Sequence, residues 1–184
     1  YDTTAWNFSM MYGLAAVTVP QHLEDGLKPW RAHTSVIDVQ ASAIAWTVNG
    51  EDDRSVAFAA RLMEQGVKVR ITDKATVLSG KSISRGSVFV TAMDNPEVDS
   101  LTGLIEVQAR ALDVSVSAIF SGYGAGDLPD WGGSHFRLLT RPQIAILSHA
   151  RFSSYDVGSS WWAIDSHLGI RHSQVDAAYL SRAD

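Results

Sequence analysis

Six histidines, His22, His33, His135, His149, His167 and His172, are the chain's imidazole acid–base groups, and cysteine is absent. Without cysteine there are no disulfides, thiolate nucleophiles or cysteine-based zinc or iron–sulfur sites. A hydrolytic zinc site needs a His and a Glu at short spacing plus a distant His, which fixes the metal and leaves one position to water. Three places after the histidines stand Asp25, Val36, Leu138, Phe152, Ile170 and Val175. Only His22 with Asp25 approaches the pattern, and in a polar stretch that pair reads as solvated rather than ligating. His167 and His172 flank an expected helix end, where a cation complements the helix dipole.

A serine nucleophile on a strand-to-helix elbow requires small residues on both sides, and no G-x-S-x-G occurs. Ser148-His149, at the end of the apolar run QIAIL, is the best-placed polar pair, because open parallel sheets bind ligands beyond their strands' carboxyl ends. Neither residue has an acidic orienter nearby in sequence. Gly122, Gly124 and Gly126 suggest a phosphate cradle, but no helix pattern follows Asp127 and the Lys-Ser/Thr pair of a phosphate loop is missing. The stretch 121–135 reads instead as a long exposed, flexible or substrate-facing loop. Of the tryptophans, Trp46 and Trp161 occupy core positions, and Trp131, inside that loop, is the one placed to interact with a partner. No residue is therefore assigned a catalytic, cofactor-binding or metal-binding role, and the chain itself is not read as an enzyme.

The elements that would position these groups follow a strand–helix rhythm. Ala43–Val48 is a short apolar run closed by Asn49-Gly50. A helix follows, carrying Val56, Ala59, Ala60, Leu62 and Met63, with Asp52 or Asp53 to cap it and Gly66 to stop it. Val67–Ile71 returns as a strand. The unit recurs as a strand at Ser87–Thr91, a helix started by Asn95-Pro96-Glu97 and lined by Val98, Leu101, Ile105 and Leu112, and a strand at Val114–Phe120. After the glycine loop come a strand at Gln143–Leu147, a helical stripe of Val157, Trp161, Ile164 and Leu168 ending at Gly169, and a strand beginning at Arg171. Short connections favour parallel crossovers. The expectation is thus an α/β fold, a three-layer αβα sandwich with a mainly parallel sheet of βαβ units, amidotransferase-like or flavodoxin-like. Its parts are a docked N-terminal segment and connection over 1–35, an α/β domain over 36–140, and the start of a further unit over 141–184, packed on the same sheet.

The 184 residues are 46% hydrophobic and 19% charged, enough to bury a core. Scattered charges with a net of −5 leave no electrostatic footprint for nucleic acid or an anionic membrane. Tyr1 in place of an initiator Met, and the end at Asp184 straight after a strand-like stretch, read as cuts from a longer protein.

Two stretches carry a resemblance. YDTTAWNFSMMYGLAAVTV resembles the segment following the peptidase domain in bacterial zinc carboxypeptidase-like proteins of the carboxypeptidase A superfamily. RPQIAILSHARFSSYDVGSSWWAIDSHLGI is similar to the strand and helix that open their C-terminal domain, itself like class I glutamine amidotransferases. The matching residues are Tyr1, Asp2, Thr4, Ala5 and Gly13, then Arg141, Pro142, Ser154, Trp161 and Gly169. The resemblance implies a metallopeptidase parent, a periplasmic or secreted hydrolase whose zinc ligands lie upstream of Tyr1. This chain would be its non-catalytic accessory module, structural or substrate-presenting. Its partners would be the upstream peptidase domain and a peptide substrate, with zinc bound there and no cofactor here. The alternative is a small-molecule-binding α/β domain with its ligand at the strand ends near Asn49-Gly50, Met93-Asp94 and Ser148-His149.

Overall fold

In the computed structural model the chain divides into two units, Tyr1–His33 and Thr34–Asp184. The structure describes residues 34–149 and 152–180, with Ala15. The expected docked segment, the His22–Asp25 pair, His33 and the first stretch of the resemblance lie outside the described residues.

Strand β1 (Ala45–Val48) leads into helix α1 (Arg54–Glu64), and strand β2 (Val69–Thr72) follows. Asp52, rather than Asp53, serves the helix start: its Oδ1 accepts the Arg54 N–H at 3.0 Å. Gly66, at φ +83°, supplies the left-handed stop that a residue with a Cβ rarely adopts. The buried side of α1 is Ala57, Phe58 and Leu62, while Val56 is exposed.

The chain then forms a hairpin, β3 (Thr76–Leu78) and β4 (Lys81–Ile83), before β5 (Val88–Thr91). Ser79 and Gly80 both have positive φ, the geometry whose twist matches two antiparallel strands. Helix α2 (Leu101–Leu112), strand β6 (Ser117–Ile119) and strand β7 (Phe136–Leu138) complete this part.

Five strands form one sheet in the order β6-β1-β5-β2-β7, and every pairing in it is antiparallel. Strand β5 lies between β1 and β2, and β1 lies between β5 and β6. Both helices thus cross over a strand rather than join neighbours, which is the split βαβ arrangement of ferredoxin-like folds. Trp46 and Val48 of β1, Val69 of β2 and Val88 and Val90 of β5 face the helices and pack with Phe58, Leu62, Ile105 and Ala109. Each large side chain buried in this way contributes about 1.5–3 kcal/mol. The other face carries Ala45, Phe89, Ile119 and Phe136, covered by Leu78 and Ile83 of the hairpin and by Trp131.

The expected mainly parallel αβα sandwich is therefore not formed. A βαβ rhythm is the same in sequence whether the two strands are neighbours or flank a third. The hairpin between β2 and β5, where a doubly wound fold would place another helix, lets β5 return antiparallel. The layer on the second face is accordingly a hairpin and a loop instead of helices. Its local mark was Ser79-Gly80 between two short β-prone runs.

Asn95 also departs from its expected role. Helix α2 begins at Leu101, and the buried Asn95 side chain instead takes the Lys68 N–H at 2.7 Å and donates to the carbonyls of Lys68 and Thr91. It ties the exit of β5 to the entry of β2. Beside it, Asp94 accepts two hydrogen bonds from Arg70, at 2.7 and 2.8 Å, and one from Thr91 Oγ1.

Beyond the sheet, β8 (Ile144–Ser148) pairs in parallel with β9 (His172–Asp176) and with no strand of the five-stranded sheet. Between them runs α3 (Ser154–Trp161), continued by π-helical turns over Trp162–Leu168 and stopped at Gly169 with φ +70°. A four-residue helix, α4 (Ala177–Leu180), follows β9.

Two stability measurements check the clamp that Asn95 and the Arg70–Asp94 pair form between β5 and β2. Asn95→Ala leaves buried backbone groups unpaired and is expected to cost about 2–3 kcal/mol in urea unfolding; a loss below about 0.5 kcal/mol would show the clamp to be dispensable. The Arg70 guanidinium holds the Asp94 carboxyl below its usual value. A group so depressed contributes stability above its unfolded pKa, about 3.9, and loses it as pH falls through the folded value. Asp94→Asn should thus cost about 2 kcal/mol at pH 7, with the gap from the parent chain closing below about pH 4; a gap independent of pH would refute the assignment.

Candidate functional site

Antiparallel pairing separates the strand ends that a parallel sheet would have gathered. Ala45 pairs with Thr91 and Val48 with Val88, so Asn49-Gly50 and Met93-Asp94 lie at opposite ends of the sheet. Ser148-His149 belongs to the separate β8–β9 pair. These three places form no common site.

Around Asn49-Gly50, however, the second face of the sheet holds a partly enclosed pocket of about 210 Å³. Thr47 of β1 and Ser117 of β6, direct partners across the strands, share it with Asn49, Ser87 and Ser115, while the hairpin contributes Lys81, Ser82 and Ile83. Strand alternation produces this. Trp46 and Val48 face the helices, so Thr47 must face the hairpin.

The rim is held by a close backbone crossing. A Cβ on Gly50 would stand 2.3 Å from the Gly86 carbonyl carbon, so only glycine fits there. Gly50 N–H donates to Ser87 Oγ at 3.0 Å. Ser115 Oγ accepts the Val36 N–H, and Asn49 Oδ1 accepts the Glu51 N–H, each at 3.1 Å. Lys81 Nζ stands 3.5 Å from Asp38 Oδ2. Thr47 Oγ1 is buried and has no hydrogen-bond partner among the described residues. Strand alternation could have placed these hydroxyls on one face, but the pairing of β1 with β6 joins residues 70 apart, Thr47 and Ser117.

The glycine loop is neither free nor a phosphate cradle. Gly124 N–H donates to Asp130 Oδ1 at 2.6 Å and Ala125 N–H to the Val77 carbonyl at 3.1 Å, so these amides are already engaged. Trp131 packs edge-on against Phe89 and stacks on Phe136, with centroids at 5.2 and 5.5 Å. It is partly buried, with one side packed against the core cluster of the sheet's second face. Trp46 is buried as expected, whereas Trp161 is 38% exposed.

The described histidines are dispersed. His135 Nδ1 meets Asp73 Oδ1 at 2.7 Å, and Arg137 reaches Asp73 Oδ2 at 2.9 Å. The His135 hydrogen bond, with help from Arg137, holds the Asp73 carboxyl below its usual value. This pair escaped sequence reading because 62 residues separate its members. His149 sits at φ +62° where β8 ends, beside a cleft of about 290 Å³ shared with Ser148, Phe152, Trp161 and Gln174. His167 stacks on Trp162, and His172 Nδ1 lies 3.2 Å from the Ile170 carbonyl. No cluster of three or more potential metal ligands occurs among the described residues, and no helix there is long and apolar enough to cross a membrane.

Thr47→Val tests the pocket's unpaired hydroxyl. Removing a buried, unpartnered polar atom while keeping its shape is expected to stabilise the free chain by about 1 kcal/mol in urea unfolding. A loss of stability would show that the hydroxyl is satisfied in the free protein.

Compared with known proteins, the chain matches no family model, no curated protein and no solved structure.

Proposed function

We propose that this chain is a non-catalytic accessory module that docks, through its β8–α3–β9 unit, onto another domain of the same larger protein. The observation that carries this reading is that the described residues leave much of that unit uncovered. Parallel strand pairs are stable where both faces are packed. Here Ala145 and Leu147 of β8 are exposed, and α3 contains no buried residue. Phe152, Tyr155, Trp161 and Trp162 are 47%, 87%, 38% and 59% exposed. An apolar cleft of about 360 Å³ remains between β8 and α3, lined by Ile146, Leu147, Phe152, Val157 and Ile164.

The inner side of the unit is already fixed by polar contacts. Arg171 Nε meets Glu64 Oε2 at 2.6 Å, and Arg61 donates to the carbonyls of Leu168 and His167. A unit anchored to its own domain on one side and apolar on the other is suited to bridge two domains. The resemblance of Arg141–Ile170 to the domain opening of zinc carboxypeptidase-like proteins supports a peptidase domain as that neighbour. Zinc and hydrolysis would then belong to the neighbour, with this chain stabilising it or presenting peptide to it.

Hydroxyl-radical footprinting of Trp161 and Trp162 tests the docking. Both should be labelled in the excised 184-residue chain and protected several-fold in the parent protein; equal labelling would refute it. Assay of both proteins on peptide C-termini with added zinc should find activity only in the parent. Turnover by the excised chain would overturn the non-catalytic reading.

A further inference from the structure

We infer that the pocket between β1, β6 and the β3–β4 hairpin is a binding site for a compact oxyanion, a carboxylate or phosphate group. The inference rests on which hydrogen-bonding capacity is already used. Ser87 and Ser115 accept backbone N–H groups, which leaves each hydroxyl hydrogen to donate. Asn49 uses its Oδ1 on the Glu51 N–H, leaving its Nδ2 as the free end of the amide. Thr47 Oγ1 is buried without a partner among the described residues. Lys81 is the one charged residue lining the pocket, and an ammonium only donates.

Lys81, Asn49 Nδ2 and the hydroxyl hydrogens of Ser87 and Ser115 thus offer donors at one pocket, and the hydroxyls of Thr47, Ser82 and Ser117 can donate as well as accept. The complementary ligand group is rich in acceptor oxygens and negatively charged, because charge-assisted hydrogen bonds are the stronger kind. A neutral polyol could pair with the hydroxyls of Thr47, Ser82 and Ser117, but it offers no charge to the Lys81 ammonium. The volume of about 210 Å³ suits a small group or the anionic end of a larger molecule. Asp38 at 3.5 Å from the Lys81 ammonium sets a threshold: an entering anion must compete with it for the same charge. The site lies on the sheet's second face, away from the β8–α3–β9 contacts, and stands whether or not the chain docks as proposed.

Titration of the full 184-residue chain with inorganic phosphate, with acetate and with glycerol, at ionic strength fixed by chloride, tests the site by thermal shift and amide NMR. At least one of the two anions should raise the melting temperature in a saturable manner and move the Thr47, Asn49 and Ser117 amides; which one does so identifies the group. Lys81→Met and Thr47→Val should each weaken that binding tenfold or more, with Ser117→Ala as the check if either variant fails to fold. Asp38→Asn, by releasing Lys81, should tighten it several-fold. Saturation by neither anion, an equal response to glycerol, or unchanged affinity in the Lys81 and Thr47 variants would overturn the assignment.

Discussion

The position of β5 between β1 and β2 is the constraint on which the first sheet depends. Trp46 pairs with Val90, and Val90 pairs with Val69 on its other side, so one row of large side chains crosses three strands toward the helices. Once that row is set, α1 and α2 must lie side by side on the same face to cover it. The clamp from Asn95 to Lys68 holds the two strands where the chain turns away. A slip of one residue in this pairing would send Trp46, Val69 and Val90 to the wrong face.

The opposite face is covered unevenly, and that unevenness makes the site. Over Ala45, Phe89, Ile119 and Phe136 lie Leu78 and Ile83 of the hairpin and the Trp131 ring, which stacks on Phe136. One step along β1 the apolar layer stops, and Thr47, Ser87 and Ser117 replace it beneath the same hairpin. The hairpin reaches across because Ser79 Oγ, at its tip, accepts the N–H groups of Phe120 and Ser121 at 2.9 and 3.0 Å. The loop after β6 is held in turn at Gly124, where a Cβ would stand 2.3 Å from the Leu128 carbonyl oxygen.

The β8–α3–β9 unit is built on other terms. Its buried residues are few, Ile146, Ser148 and Ile170 among them, and its attachment to α1 is made by Arg61, Glu64 and Arg171 rather than by a shared apolar core. Partly exposed ion pairs and carbonyl contacts add little stability each. The unit's own contacts therefore hold it less firmly than the apolar core holds the five-stranded sheet.

Local pattern alone determined the element types: the apolar runs that became β1, β5 and β8, the helical stripe through Leu101, Ile105 and Leu112, and the stops at Gly66 and Gly169. These follow from side-chain periodicity and from glycine's access to positive φ, both of which act within a few residues. Strand neighbours were not legible, because β1–α1–β2 has the same spacing whether or not a third strand lies between. The hairpin that decides the matter occupies eight residues, Thr76–Ile83, whose turn pair is the only local sign of it. Asn95 could not be told from a helix cap, since its partners are backbone groups brought beside it by β2. The pocket needed tertiary structure altogether. Serine and threonine hydroxyls are common on strands; only the antiparallel pairing of β1 with β6, under a hairpin carrying Lys81, turns Thr47 and Ser117 toward one another's ligand.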